Sequence, residues 1–305
     1  MYSAHAAYVA PARACPQLWR LLLGLVLVLG FHLAWMGAVA LAVWLATGRD
    51  GLGRQFALIA QGGEPWTLLA LLATFPGMAL GVWVASRLLH RRGWRSLLGP
   101  RARLARDFGL GVAVMALVGG GLGLFLLPFA PPLEAATEPR IWLAFLPLAL
   151  FAILVQTGAE ELVFRGYLQQ QMAARFASPL AWMVLPSVLF GLAHYAPDEM
   201  GRNVWLVVAA TALFGLIAAD LTARTGSLGL AWGLHFANNV LAILVISALA
   251  GLDGLALFRL TESANMTDVL RPLLLADMVL MALVWAACVY WLRLRRNGPV
   301  PAERS

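Results

Sequence analysis

From Ile141 to Glu161 the chain reads IWLAFLPLALFAILVQTGAEE, with no charge before its last two residues. A helix needs about 20 apolar residues to cross the hydrocarbon layer of a bilayer, and this run supplies them. Comparable runs recur along the whole chain. They place expected spans at about residues 18–46, 66–89, 108–130, 141–164, 179–196, 203–221, 227–250 and 271–292. Only 12% of the 305 residues are charged and 61% are hydrophobic, against about 25% charged in a soluble domain. The expected fold is therefore all-α, a polytopic membrane helical bundle of about eight transmembrane helices. No repeat, low-complexity linker or separate soluble domain interrupts it. The reading is one integral membrane domain over 1–305, with N-terminal spans through residue 140 and a cytoplasmic tail at 293–305.

All 22 basic residues are arginine and there is no lysine. The basic balance would suggest nucleic acid in a soluble chain. Here the arginines gather in short loops beside apolar helices, where membrane orientation is the simpler cause, and no nucleic-acid partner is expected. Residues 87–107 hold seven arginines, and with eight spans both termini fall on that side. Sixteen arginines then lie there and six on the other side, so the positive-inside rule puts both termini in the cytoplasm. The arginine-only usage points to a GC-rich, bacterial source and hence an inner (cytoplasmic) membrane. The 87–107 loop is amphipathic and reads as lying on anionic headgroups, with substrate docking as the alternative. Cys15 and Cys288 sit at opposite ends in no metal or redox spacing. The first apolar run is too long for the h-region of a signal peptide.

Ionisable residues inside spans are rare and usually functional. Here they are His32, Glu160, Glu161, Arg165, His194, Asp220, His235 and Asp277, with Asn238 and Asn239 as buried amides. Glu161 and Arg165 are i,i+4 on a helix and pair. Glu160 is turned about 100° away, so the same arginine does not serve both. Glu160 is then either an acid/base carboxylate of raised pKa or an interfacial, solvated one. Phe190 lies i,i+4 from His194 and packs below its ring. The break expected at 177-ASP-179 lies 17 residues after Glu160 and 17 before His194. In an antiparallel pair the two come level, about 25 Å from the turn. His235 and Asn239, again i,i+4, present two donors from one face, as an oxyanion site or as interhelical glue. His32, Asp220 and Asp277 read as structural.

The ordered trio 160-EELVFR-165, 190-FGLAH-194 and 235-HFANN-239, with 224-RTGSL-228 before the last, resembles the CAAX protease and bacteriocin-processing (CPBP, Abi) family. These are intramembrane glutamic endopeptidases that include the Ras-converting CAAX prenyl protease. The resemblance covers a core of about 141–245. It implies that Glu160 and His194 activate a water, that His235 and Asn239 hold the oxyanion, and that Glu161 and Arg165 support the site. It implies no metal cofactor. Glu160, His194 and His235 also make a two-His-one-carboxylate zinc set, kept as the alternative. The expected partners are a peptide or membrane-protein substrate and the lipid bilayer; a prenylated CAAX protein requires a source cell that prenylates. A non-catalytic immunity or scaffold protein, and a transporter with Glu160 and His194 as a proton relay, are the competing functions.

Overall fold

The computed structural model describes residues 2–48, 51–248, 252–261 and 266–297. Arg49 and the tail from residue 298 onward, both used in the orientation argument, lie outside the described residues. A short helix α1 (Ser3–Val9) leads into α2 (Leu18–Thr47), α3 (Leu52–Gln61), α4 (Pro65–His90) and α5 (Arg101–Phe129). Then come α6 (Pro139–Arg175), α7 (Leu180–Leu192), α8 (Pro197–Thr225), α9 (Gly229–Val245) and α10 (Met266–Asn297). Among the described residues, six helices are long and apolar enough to cross a membrane: α2, α4, α5, α6, α8 and α10. The other two expected spans, the fifth and the seventh, fall on the shorter apolar helices α7 and α9. The chain is an integral membrane protein.

Small residues let the helices approach closely, as expected where lipid offers no hydrophobic drive to association. A methyl group at Gly229 or Gly233 of α9 would overlap the carbonyl oxygen of Leu104 or Phe108 on α5. On α7 and α8, Gly191 meets the Val208 carbonyl and Gly215 meets Ser187. The fourth expected span does continue as helix past its apolar run, to Arg175, and Phe176 to Pro179 make the turn. Its middle relaxes into a π-helix over Leu162–Gln169, directly after the two glutamates.

Residues 2–15, the 91–101 connection and the turn at 226–228 meet at one end of the bundle. Tyr8 donates to the Leu97 carbonyl, His90 Nδ1 lies 3.1 Å from the Cys15 carbonyl, and Leu228 N donates to Leu98 O at 3.1 Å. Trp285 of α10 reaches Asp220 at this same end. At the other end Leu133–Ala135, Ile246–Ser247 and Phe258–Leu260 form a three-stranded sheet, with the third strand in the middle. Nothing in the hydropathy pattern announces these strands, which are two or three residues long.

Candidate active site

α6 carries the two glutamates about 22 Å from its arginine-rich end, counting fifteen residues back from Arg175. His194 lies fourteen residues past the start of α7, at about 21 Å, so the two come level as the spacing about Ala177 requires. α7 stops at Leu192, and His194 follows in a turn. A helix end at membrane depth leaves backbone groups that only a protein-lined or watered space tolerates. Such a space is there. A cavity of about 520 Å³ is lined by Glu160, His194, Asn238, Asn239, Gln156, Ser247 and Asp277, and otherwise by apolar side chains such as Leu72, Phe75, Ile243 and Leu274.

Trp232 fastens α9 to α6 beside this cavity. Its indole N–H lies 3.2 Å from both the Leu154 carbonyl and Thr157 Oγ1, and Gly158 leaves room for its ring. That docking brings His235, one turn further on, between the two glutamates. His235 Nδ1 is 2.9 Å from Glu161 Oε1, and Nε2 is 3.4 Å from Glu160 Oε2. Glu161 Oε1 also lies 3.2 Å from Arg165 Nη1. Glu161 is 0% exposed, Arg165 2%, His235 5% and Glu160 7%. All four are withdrawn from water, and Glu160 Oε2 has no hydrogen bond of its own.

Arg165 gains little from hydrogen bonds; its two terminal nitrogens make none. It is held by aromatic faces instead. Its guanidinium carbon is 4.5 Å from the Phe190 ring centroid and 5.9 Å from those of Phe164 and Phe214. Cation–π contacts of this kind gain strength when desolvated. Phe190 also stacks on His194 at 4.8 Å and meets His235 at 6.0 Å. It therefore positions both histidines, beyond the single contact that its i,i+4 spacing suggests.

His194 Nδ1 is 2.8 Å from the Phe190 carbonyl oxygen, an acceptor, so Nδ1 carries a proton and the neutral tautomer has its lone pair on Nε2. Asn239 Nδ2 donates to Gln156 Oε1 at 3.0 Å, which fixes the amide and leaves its second N–H. Glu160, His194 and Asn239 thus share the cavity wall, while Glu161, Arg165, His235 and Phe190 stand in the buried layer around them. Gln156 and Phe214 are absent from the sequence reading. Gln156 had a signal, since it is i−4 from Glu160 on an apolar helix; Phe214, among many apolar residues of α8, had none. Asp220 is structural as expected, accepting from Tyr2 (2.6 Å), Arg224 (2.5 Å) and Trp285 (2.8 Å). Asp277, read from the sequence as structural, lies on the cavity wall.

Among the described residues no three His, Cys, Asp or Glu side chains are grouped as a metal ion requires. The set Glu160, His194 and His235 does not form one.

Residues 142–241 match the family model described as type II CAAX prenyl endopeptidase, Rce1-like. The match spans all three motifs. An uncharacterized protein of Bacillus subtilis (strain 168), YyaK, is 31% identical over 173 residues, 55% of this chain and 57% of its own length. The chain thus spans little more than half the length of the curated relative it matches. No solved structure matches it.

Proposed function

We propose, from the Rce1-like character of residues 142–241, that this membrane protein is an intramembrane endopeptidase of metal-independent, glutamate type. Its substrate is a membrane-associated peptide or protein. The observation that carries the reading is the charge balance of the buried cluster. Glu161 is offset by Arg165, and the facing pair, Glu160 Oε2 and His235 Nε2, stands 3.4 Å apart with one proton needed to keep the cluster neutral. An uncompensated charge in such a site would cost several kcal/mol. With the proton on Nε2, Glu160 is an ionised base and His235 a donor, steadied at Nδ1 by Glu161.

Water in the cavity gives a proton to Glu160, assisted by the free Nε2 of His194, and its oxygen bonds to the scissile carbonyl carbon. Once protonated, Glu160 no longer holds His235 Nε2–H, and that N–H turns to the oxyanion beside the Asn239 amide N–H. Preorganised donors in a low-dielectric site are worth far more there than in water. The proton then passes to the amide nitrogen, the C–N bond breaks, and a carboxylic acid and an amine leave. The apolar wall suits the apolar flank of a membrane substrate. The Arg-rich end is read as cytoplasmic, with both termini there, in a bacterial inner membrane.

Peptide mass spectrometry of membranes holding the wild type or Glu160→Gln tests the reading. A peptide present only with the wild type, and undiminished by chelator, is the expected result. Loss of that peptide on chelation favours the zinc mechanism. Identical peptide sets favour a non-catalytic scaffold or immunity role.

A further inference from the structure

The arginine-rich end holds a built concavity that the endopeptidase chemistry does not use. One cavity of about 550 Å³ is walled by Ala4, Ala7, Tyr8 and Pro11 of the N-terminal segment, by the 95–103 stretch, and by Gly226. A second, of about 460 Å³, is lined by Trp83, Arg87, Gly93 and Trp94 and shares Arg95, Ser96 and Arg101 with the first. The two are therefore adjacent, with Arg87, Arg95, Arg101 and Arg103 around them and no acidic residue in either wall.

The floor is preformed. Gly99 (φ +88) and Gly226 (φ +65) take left-handed conformations. A Cβ on Gly99 would overlap the Gly226 carbonyl, and one on Gly226 would overlap the Ala4 carbonyl, so three separate segments are locked together there. Arg103 is pinned by its bond to the Thr225 carbonyl at 2.8 Å. Arg87, Arg95 and Arg101 have no carboxylate partner among the described residues, because Asp107 is taken by Arg106 and Asp220 by Arg224. Cations gathered in a pocket without a counter-ion repel one another unless an anion joins them. The surroundings say where that anion comes from. Trp83, Trp94 and Leu88 stay exposed beside the pocket, and tryptophan and arginine at a helix end mark the headgroup level of a bilayer.

We propose that this concavity binds the phosphate ester of an anionic phospholipid headgroup, with Arg95 and Arg101 at its centre and Arg87 and Arg103 flanking. The lipid braces the N-terminal helix against the turn that leads into α9, and is a structural ligand rather than a substrate.

Thermal unfolding of the full-length protein in neutral detergent tests this, with phosphatidylglycerol, phosphatidylcholine or soluble glycerol 3-phosphate added. Phosphatidylglycerol should raise the melting temperature, and neither phosphatidylcholine nor glycerol 3-phosphate should. Each arginine at an anionic surface contributes roughly fivefold in affinity, so Arg95→Gln/Arg101→Gln should need about 25-fold more lipid for half the shift. Arg140→Gln/Arg202→Gln, at the opposite end, should respond as the wild type. An undiminished response of the first double variant, or equal stabilisation by phosphatidylcholine, overturns the site. Equal stabilisation by glycerol 3-phosphate overturns the lipid as its occupant. If the first double variant does not fold, native mass spectra of the wild type decide: retained phosphatidylglycerol supports the proposal, and no preference over phosphatidylcholine overturns it.

Discussion

The carboxylate of Glu161 meets Arg165 and His235 through Oε1, whereas Glu160 turns its Oε2 to His235 at 3.4 Å and also lines the cavity. Replacing one partner of a buried charge cluster exposes the cost of the rest. Arg165→Met should destabilise the protein by about 3–5 kcal/mol by leaving Glu161 short of a cation, and a large fall in melting temperature is the check. An unchanged melting temperature would mean that Phe190, Phe164 and Phe214 enclose an uncharged site. The Glu161–Arg165 pair is legible in the sequence because it is local, i,i+4 on one helix. His235 between the two glutamates is not, since it lies 74 residues from Glu161 and arrives there only through the docking of Trp232. Sequence spacing put His235 with Asn239 as paired donors. The structure adds to that pairing that Asn239 lines the cavity and that His235 Nε2 faces Glu160 Oε2 at 3.4 Å.

At the scale of elements, most of the bundle was readable from hydropathy and the rest from where helices stop. The turn between α6 and α7 lies at Phe176 to Pro179, close to the break that Pro179 marks in the sequence. The early end of α7 at Leu192 was less visible, because the apolar run continues to Ala193 and only the cavity explains the stop. The contact of α5 with α9 depends on glycine. Gly233→Ala pushes a methyl group into the Phe108 carbonyl, and such overpacking should cost about 1–3 kcal/mol. Because α9 carries His235 and Asn239, cleavage should fall together with melting temperature; full activity at an unshifted melting temperature would contradict the packing argument. The N-terminal helix offers a separate check. His5 packs on Trp182 with ring centroids 4.4 Å apart, and burial lowers its pKa to about 4 from an ordinary 6.5. The folded form therefore disfavours the charged ring. Above pH 6.5 the ring is neutral in both docked and undocked states; as pH falls from 6.5 toward 4, docking weakens progressively. The nearby Arg13 works in the same direction. Tryptophan fluorescence should report a transition in that window that His5→Phe removes, and a transition that persists in the variant would assign it elsewhere.

For the molecule as a whole, the arginine asymmetry and the fold agree on one point: the N-terminal segment, the 91–101 connection and the far part of α10 gather at one end. A reporter that fluoresces only in the cytoplasm, fused after Ser305, should be bright; a dark, intact fusion would invert the orientation. The opposite half holds the cavity, and with it the proposed chemistry, in which Glu160 is the base and Glu161 its support. The most direct measurement is the cleavage rate of one identified peptide bond by wild type, Glu160→Gln and Glu161→Gln, each reconstituted in liposomes at matched folded amounts. Loss of a positioned base should cost about 10²–10⁴-fold, so Glu160→Gln should be essentially inactive at every pH. Glu161→Gln should retain measurable cleavage with a displaced pH profile, because His235 loses its carboxylate partner. Undiminished cleavage by folded Glu160→Gln would contradict the account.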